Sequence, residues 1–333
     1  MADVVVVGGG IVGLAAADAL ALRGAEVLVL ERGEPGEGQS AGVARGFRHL
    51  HATAAQIDDA VRARALWDDW SARAGEPLVG EEGALRLGGD VAADAARLRA
   101  CGVAAEVVER AGERHPALAA DAGPLLWDPR GGAIRGARAI AWLRDRLDVR
   151  RTAVTAVAPG RVVTDEEALA CGTVLVCAGA ETDRLWPHVT MRRTVHLRVT
   201  FAAPGAADDA ASWGAATWGD RSGAYGARTY GVAEGPGRFA LGLAELGAQP
   251  APEDPDAAPP DLAPVRARVH AYARAAFPGL GAPVGEVVRV LTVLPGEDED
   301  AYVVHREPGL AVVAGHNLFK LAPLIAERLA ANL

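Results

Sequence analysis

The chain has 333 residues, enough for two domains with separate hydrophobic cores. Half of the residues are hydrophobic, which excludes intrinsic disorder over most of the chain. The formal net charge of −9 argues against a nucleic acid partner, because phosphate backbones are bound by clustered basic residues. The three cysteines have no spacing typical of disulfides or zinc sites, so we expect no metal and a reducing, cytoplasmic location.

The first predicted elements are a strand, a helix and a second strand. The β-branched run Val4–Val7 is typical of a strand buried on both faces, and residues 11–22 are rich in the helix formers Ala and Leu. Residues 26–30 predict the next strand, which completes a βαβ unit within about 30 residues. This N-terminal segment lacks the basic start of a secretory signal, and no apolar run reaches about 18 residues, so we expect no membrane partner.

The remaining elements follow from hydrophobic periodicity. Helices are predicted at residues 56–74, 91–101, 137–147, 265–277 and 323–331. Strands are predicted at residues 78–87, 107–108, 125–134, 153–157, 161–164, 173–177, 195–201, 239–243, 287–294, 301–304 and 310–314. Residues 247–264, dense in Pro, Ala and Asp, predict an exposed linker.

Three glycines with the spacing GxGxxG lie between the first strand and the first helix. Gly8 permits the tight turn, Gly10 lets a pyrophosphate approach the backbone, and Gly13 lets the helix pack against the strand. The helix N-terminus, at Ile11 and Val12, offers N–H groups to the phosphates. Glu31 ends the second strand, where a carboxylate accepts hydrogen bonds from ribose hydroxyls and repels a 2′-phosphate. The motif therefore predicts FAD or NAD and excludes NADP.

Four further segments distinguish between these two cofactors. They are GVARGFRH (residues 42–49), VLVCAGA (174–180), the pair GAYG and RFALG (223–226 and 238–242), and VVAGHNLFK (312–320). With the glycine loop, they resemble motifs of the D-amino-acid-oxidase-like FAD-dependent oxidoreductases, particularly the sarcosine-oxidase and glycine-oxidase branch. The resemblance extends over nearly the whole chain.

The resemblance implies an α/β and α+β protein with two domains. A Rossmann-type FAD-binding domain is expected at residues 1–85, 137–185 and 285–333. A substrate-binding domain built on a mixed or antiparallel sheet is expected at residues 86–136 and 186–284. The implied activity is oxidation of the C–N bond of a small amino or N-substituted amino acid, with hydride transfer to flavin N5. The partner is then a small amino-acid-like substrate, and the oligomeric state stays open.

The resemblance also implies roles for individual residues. Arg45 is expected to pack against the flavin ring, whereas Arg48 and Lys320 are expected to bind the substrate carboxylate. Tyr225 matches an active-site tyrosine, and His49, His51 and Tyr225 are candidates to accept the substrate's ammonium proton. The cofactor-binding residues expected in full are Gly8, Gly10, Ile11, Val12, Gly13, Glu31, Arg32, Ser40, Arg45, Val154, Ala178, Gly179, Gly315, His316, Asn317, Leu318 and Lys320.

The sequence departs from the family pattern at several positions. Ala240 replaces a lysine that speeds the reaction of the oxidases with oxygen, and no cysteine lies near Arg289, where the branch often attaches FAD covalently. We therefore expect non-covalent FAD. Other substitutions of family residues are Ala44, Glu181 and Asn317.

Three alternative functions stay open. The absent lysine at Ala240 is compatible with a non-catalytic or accessory flavin-binding subunit. A flavin monooxygenase shares the N-terminal motif but needs a late Gly-Asp pair, and the pairs present here lie in the wrong contexts. An NAD dehydrogenase would leave the segment around Gly315 without a role.

Overall fold

The computed structural model describes residues 2–119, 121–203, 216–244, 251, 260–296 and 301–333, so most of the predicted linker at 247–264 lies outside the described residues. The helices are α1 (Ile11–Ala21), α2 (Ala54–Ala74), α3 (Val91–Ala100), α4 (Gly136–Arg144), α5 (Thr182–Leu185), α6 (Ala263–Ala276) and α7 (Ala322–Ala330). None of these described helices is long and apolar enough to cross a membrane. The strands are β1 (Val4–Val7), β2 (Val27–Glu31), β3 (Arg45–Phe47), β4 (Ala84–Leu87), β5 (Glu106–Val108), β6 (Leu125–Asp128), β7 (Gly132–Ile134), β8 (Asp148–Arg151), β9 (Val154–Ala158), β10 (Arg161–Thr164), β11 (Ala168–Ala170), β12 (Thr173–Val176), β13 (Arg192–Ala202), β14 (Thr217–Asp220), β15 (Thr229–Ala233), β16 (Arg238–Leu243), β17 (Pro283–Val293), β18 (Tyr302–Glu307) and β19 (Leu310–Gly315).

The chain divides into two compact units, each assembled from separate segments. The first unit contains residues 1–42, 136–193 and 290–333, and the second contains residues 43–135 and 194–289. The domain bounds expected from the sequence differ most at residues 43–85, which we assigned to the first domain. These residues include β3, which pairs with β7, and the start of β4, which pairs with β6 and β14. Both strands therefore pair only within the second unit.

The first unit is built on a six-stranded sheet in the order β18-β19-β12-β1-β2-β8. β19, β12, β1, β2 and β8 are parallel, and β18 is an antiparallel strand at one edge. With helices packed on such a sheet, this is the predicted Rossmann-type arrangement. The glycine loop follows β1, in the middle of the sheet.

The two faces of this sheet are covered differently. Val5 and Val7 pack with residues of the small antiparallel sheet β9-β10-β11, including the fully buried Val162. Val6 points to the other face, where an added Cβ at Gly13 of α1 would lie 3.3 Å from its methyl group. A strand with apolar side chains on both faces explains the continuous valine run.

The second unit is built on an eight-stranded mixed sheet in the order β17-β13-β16-β15-β14-β4-β6-β5. One of its faces is covered by α6, with Val269, Tyr272 and Phe277 packed among residues such as Phe239 and Leu241. Side chains alternate along each strand, so Val199, Leu241 and Gly231 share this covered face because they pair directly. The expectation of a mixed or antiparallel sheet is confirmed.

A buried histidine in the second unit makes stability depend on pH. His115 is fully buried between the rings of Phe239 and Phe277, and burial lowers its pKa from 6.5 to about 4. Between these two pH values, the unfolded chain binds a proton that the native chain does not. The free energy of unfolding therefore falls as the pH falls through this range, by about 3 kcal/mol in total.

We predict that His115→Leu flattens this acid dependence. Urea unfolding at pH 7 and pH 4.5 measures it, and the exposed His188 provides the matched control variant His188→Leu. A His115→Leu protein that loses as much stability between these pH values as the wild type would contradict the prediction.

Candidate active site

The glycine loop of the first unit has the close packing that its sequence predicts. Gly8 has a φ of +110°, and a Cβ there would lie 2.4 Å from the carbonyl oxygen of Cys177. A Cβ on Gly13 would lie 2.0 Å from the carbonyl oxygen of Gly8. Both positions therefore accept only glycine in this backbone conformation.

The N-terminus of α1 has the properties of an anion site. The helix begins at Ile11, after Gly10, and has neither a side-chain cap on Gly10 nor an acidic residue in its first turn. The Ile11 N–H donates to Ser40 Oγ at 3.1 Å, which places Ser40 beside the loop. The first-turn amides, including that of Val12, and the helix dipole favour a phosphate at this position.

Glu31 lies at the end of β2, next to the glycine loop. Its Oε2 accepts the Gly9 N–H at 2.7 Å, and its Oε1 accepts the Gly33 N–H at 2.9 Å. A carboxylate oxygen has a second lone pair, so both oxygens can still accept hydrogen bonds from ribose hydroxyls. Arg32, which follows it, is exposed and forms an ion pair with Glu181 at 3.8 Å.

A hydrogen-bonded chain links other predicted cofactor residues within the first unit. A Cβ on Gly179, which has a φ of +57°, would lie 3.4 Å from Gln39 Nε2, and Gln39 donates to Thr292 Oγ1 at 2.9 Å. Thr292 in turn donates to the Gly315 carbonyl at 3.2 Å, and its own carbonyl contacts His316 Nδ1 at 2.8 Å. These hydrogen bonds join Gln39 and the ends of β17 and β19, with Gly179 close to Gln39.

The segment after β19 makes an unusual turn. Asn317 has a φ of 55°, in the left-handed region, and leads into the 3₁₀ turn Leu318–Leu321. Lys320 lies on this turn and is 6% exposed. Elsewhere in the first unit, Val154 of β9 packs against the core of the parallel sheet, and Ala178 lies two residues after the end of β12.

In the second unit, the sheet face opposite α6 carries charged and small residues in register. Arg198, Gly242 and Tyr230 pair directly across β13, β16 and β15, so their side-chain positions share this face. Thr200, Ala240 and Val232 form the next row. A Cβ on Gly242 would lie 2.7 Å from Tyr230 Oη, so the glycine makes room for the phenol.

Arg45 joins Arg198 on this face. Both guanidinium groups donate to the Ala44 carbonyl, from Arg45 Nη1 at 2.8 Å and from Arg198 Nη1 at 3.0 Å. Arg198 Nη2 also donates to Glu234 Oε1 at 2.6 Å. Burial, followed by the nearby charges of Arg289 and Arg198, lowers the pKa of Arg45 well below its usual range.

Arg48 is half-buried after β3 and donates from Nη1 to the Leu50 carbonyl. It lies near Arg86 of β4, which forms an ion pair with Asp94. Burial lowers the pKa of Arg86 despite this pair, and the charge of Arg48 contributes to the shift. The second unit therefore places Arg48 near a second arginine, and its guanidinium is a group that can bind a carboxylate through two parallel hydrogen bonds.

Tyr225 and His49 are placed less favourably for catalysis. Tyr225 packs edge-on against Tyr272 of α6, with ring centroids 6.0 Å apart, and so belongs to the α6 side of the sheet. The buried Nδ1 of His49 contacts Asp128 at 2.9 Å, and Asp128 also accepts the Arg130 and Gly131 N–H groups of the β6–β7 turn. Both contacts favour structural roles.

Sequence reasoning missed Tyr230, Arg198, Glu234 and Arg86 as site candidates. Tyr230 lies only five residues after Tyr225, and GAYG resembled the family segment more closely. The register of β13, β16 and β15 is the information that assigns Tyr230 to the charged face. Alternation along RRTVHLRVT (residues 192–200) could have identified Arg198, because the arginine shares a face with Thr200.

A family model described as DAO, FAD dependent oxidoreductase, matches residues 3–332. The chain belongs to this family. Its members are FAD-dependent enzymes, which agrees with the glycine loop and the carboxylate of Glu31 described above. No curated protein sequence matches the chain.

Solved structures of the DAO fold resemble the chain over nearly its whole length. NikD, described as an unusual amino acid oxidase essential for nikkomycin biosynthesis, has a TM-score of 0.84 at 23% identity and covers 99% of this chain and 94% of its own. L-proline dehydrogenase from P. horikoshii has a TM-score of 0.84 at 19% identity, with coverage of 99% and 92%. Glycine oxidase from Geobacillus kaustophilus has a TM-score of 0.81 at 21% identity, with coverage of 100% and 94%.

The residues of the first unit fit FAD. Gly8 and Gly13 pack so closely against backbone atoms that the turn admits no side chain, the N-terminus of α1 carries no competing acid, and Glu31 keeps acceptor capacity for a ribose. These groups would hold the diphosphate and the ribose of the adenosine half. When bound, FAD supplies the two-electron acceptor that no amino acid side chain provides.

Proposed function

We propose that this DAO-family enzyme oxidises the C–N bond of a small amino or N-substituted amino acid, giving an imine. The observation that carries the proposal is the group of arginines in the second unit, in which Arg45 and Arg198 share the sheet face opposite α6 and Arg48 lies near Arg86. A substrate with a carboxylate is the ligand that such a group favours, because a guanidinium binds a carboxylate through two parallel hydrogen bonds. The proteins named above act on amino acids, which supports the same substrate class.

In this proposal, Arg48 binds the substrate carboxylate and so orients the carbon that loses hydrogen. Tyr230, on the same face as Arg198, replaces Tyr225 as the tyrosine proposed to contact the substrate. His49 becomes a positioning residue, since its contact with Asp128 connects the end of β3 to the β6–β7 turn. The role of Lys320 in carboxylate binding stays a prediction from the family resemblance.

Anaerobic reduction tests the proposal. The purified holoenzyme is mixed, without oxygen, with a panel of amino acids and N-methyl amino acids, and the flavin absorbance near 450 nm is followed. At least one member of the panel is expected to bleach it. A spectrum that no member changes, although ligand binding is detected, would favour the non-catalytic flavin subunit, for which Ala240 is the supporting feature.

We also propose that FAD is bound non-covalently. The three cysteines are free of disulfides, and burial is the main cause that raises the pKa of each thiol, to about 12 for Cys177. Protonated thiols are poor nucleophiles, so they do not favour a covalent flavin link. Acid precipitation is expected to leave a colourless protein pellet and a yellow supernatant, whereas a yellow pellet would contradict the proposal.

The alanine at position 240 leads to a prediction about how fast the reduced enzyme reacts with oxygen. It is fully buried between Thr200 and Val232 in the second row of the charged face. If it occupies the position of the oxidase lysine, the reduced enzyme should react slowly with oxygen, because no lysine stabilises the negative charge that develops there. Ala240→Lys is expected to accelerate this reaction about tenfold or more.

Stopped-flow mixing of the reduced enzyme with oxygen measures the rate, and Ala240→Met controls for side-chain length without charge. Equal rates for wild type, Ala240→Met and Ala240→Lys would show that this position does not govern the reaction.

A further inference from the structure

Arg289 is a buried cation without a counter-charge among the described residues. It lies on β17, is 7% exposed, and its Nε has no hydrogen-bond partner. No hydrogen bond or ion pair joins its guanidinium to a described residue. Removing a guanidinium from water without such partners is costly, so the native fold is expected to supply an anion here.

The positively charged neighbours of Arg289 make an uncompensated guanidinium at this position still less favourable. β17 lies next to β13, which carries Arg198, and Arg198 and Arg45 share the Ala44 carbonyl. Glu234 is the carboxylate of this group, and its two oxygens accept from Arg198 at 2.6 Å and from Thr200 at 2.7 Å. The carboxylate of Glu234 is therefore already engaged by Arg198 and Thr200, and no hydrogen bond or ion pair joins it to Arg289.

The lowered pKa values of two neighbouring arginines are consistent with an uncompensated positive charge at Arg289. Burial is the largest cause that lowers the pKa of both Arg45 and Arg198, and the charge of Arg289 is the second cause for each. Charges of the same sign at short distance destabilise one another unless an anion lies between them.

Two unpartnered polar atoms complete the group. Tyr230 Oη is enclosed and has no hydrogen-bond partner, and the same is true of Arg198 Nε. Tyr230 lies on the same face as Arg198, separated from it by Gly242, which leaves no side chain between them. A phenol can donate to an anion that the guanidinium groups bind.

We propose that Arg289, Arg198 and Tyr230 form a subsite for a second acidic group of the substrate, which is then a dicarboxylic amino acid or its N-substituted form. This proposal rests on the proposed function, in which Arg48 binds the carboxylate next to the reacting carbon. Arg289 supplies the bidentate contact, Tyr230 donates its hydroxyl hydrogen, and Glu234 holds Arg198 in place. An acid with one carboxylate leaves Arg289 without a counter-charge.

Binding of non-oxidisable acids tests the subsite. Glutarate and valerate have carbon chains of equal length, but glutarate carries two carboxylates and valerate carries one. Their affinities for the holoenzyme are measured by titration calorimetry. We expect glutarate to bind 10- to 150-fold more tightly than valerate, the range of a charge-assisted hydrogen bond. Arg289→Met should reduce this ratio to within about twofold, and Tyr230→Phe should reduce it partially. The exposed Arg274 of α6 provides the control Arg274→Met, which should keep the full ratio.

Three outcomes would overturn the subsite. The first is equal affinity of the wild type for the two acids. The second is a glutarate preference that survives in Arg289→Met or, if that variant does not fold, a preference in Tyr230→Phe as large as that of the wild type. The third is a changed flavin reduction potential in Arg289→Met with an unchanged preference, which would assign the cation to the flavin. Because glutarate is not oxidised, its binding is independent of the panel of amino acids that tests the proposed function.

Discussion

Gly13→Ala is expected to abolish retention of FAD. The added Cβ would lie 2.0 Å from the Gly8 carbonyl oxygen, which is backbone and cannot rotate away. Helix α1 must therefore move relative to β1, and the first-turn amides move with it. Loss of two hydrogen bonds to phosphate corresponds to at least about 100-fold weaker binding. Overpacking of this kind also lowers the free energy of unfolding by about 1–3 kcal/mol.

The FAD content per protein after purification and the dissociation constant for added FAD measure this effect. Gly112→Ala is the matched control, since a Cβ there meets no atom within 4 Å. If Gly13→Ala keeps the flavin content of the wild type, the loop is not the phosphate site.

Arg48→Ala is expected to weaken substrate binding while leaving FAD binding unchanged. A guanidinium–carboxylate pair is worth about 1.5–3 kcal/mol, which corresponds to a 10- to 150-fold rise in the dissociation constant. Arg48→Lys should recover part of the loss, because a lysine keeps the charge without the two-pronged geometry. The exposed Arg228 offers a control, Arg228→Ala, with no expected effect.

The measurement is the substrate concentration dependence of anaerobic flavin reduction. If the Arg48→Ala enzyme has wild-type rates at every substrate concentration, Arg48 is not the carboxylate-binding residue.

The parts of the fold that could be predicted are those whose signal is local. The valine run of β1 and the spacing of Gly8, Gly10 and Gly13 lie within ten residues, so one short segment of sequence contains the whole signal. By contrast, β8 has the sequence DVRR, which has no apolar alternation. Its strand conformation comes from pairing with β2, a contact between residues more than a hundred positions apart.

The same distinction separates the candidate residues of the first unit from those of the second. The residues proposed to hold FAD were predicted from motifs, whereas Tyr230 and Arg198 are brought together by the register of three strands. With 34 Lys and Arg residues in the chain, of which only Lys320 is lysine, no single arginine stands out by composition. Burial of Arg289 without a partner is a property of the folded chain, and nothing in its sequence neighbourhood indicates it.

The assembly of the first unit from three segments determines when the cofactor site can form during synthesis. α1 packs against α7, and β1 pairs with β12, so the glycine loop depends on segments that the ribosome adds much later. Roughly 300 residues separate Gly13 from α7, which at typical elongation rates is many seconds of translation. The nascent N-terminal segment therefore has no finished sheet on which to bind a dinucleotide. We therefore expect loading with FAD to follow the synthesis of α7, which completes the packing around α1.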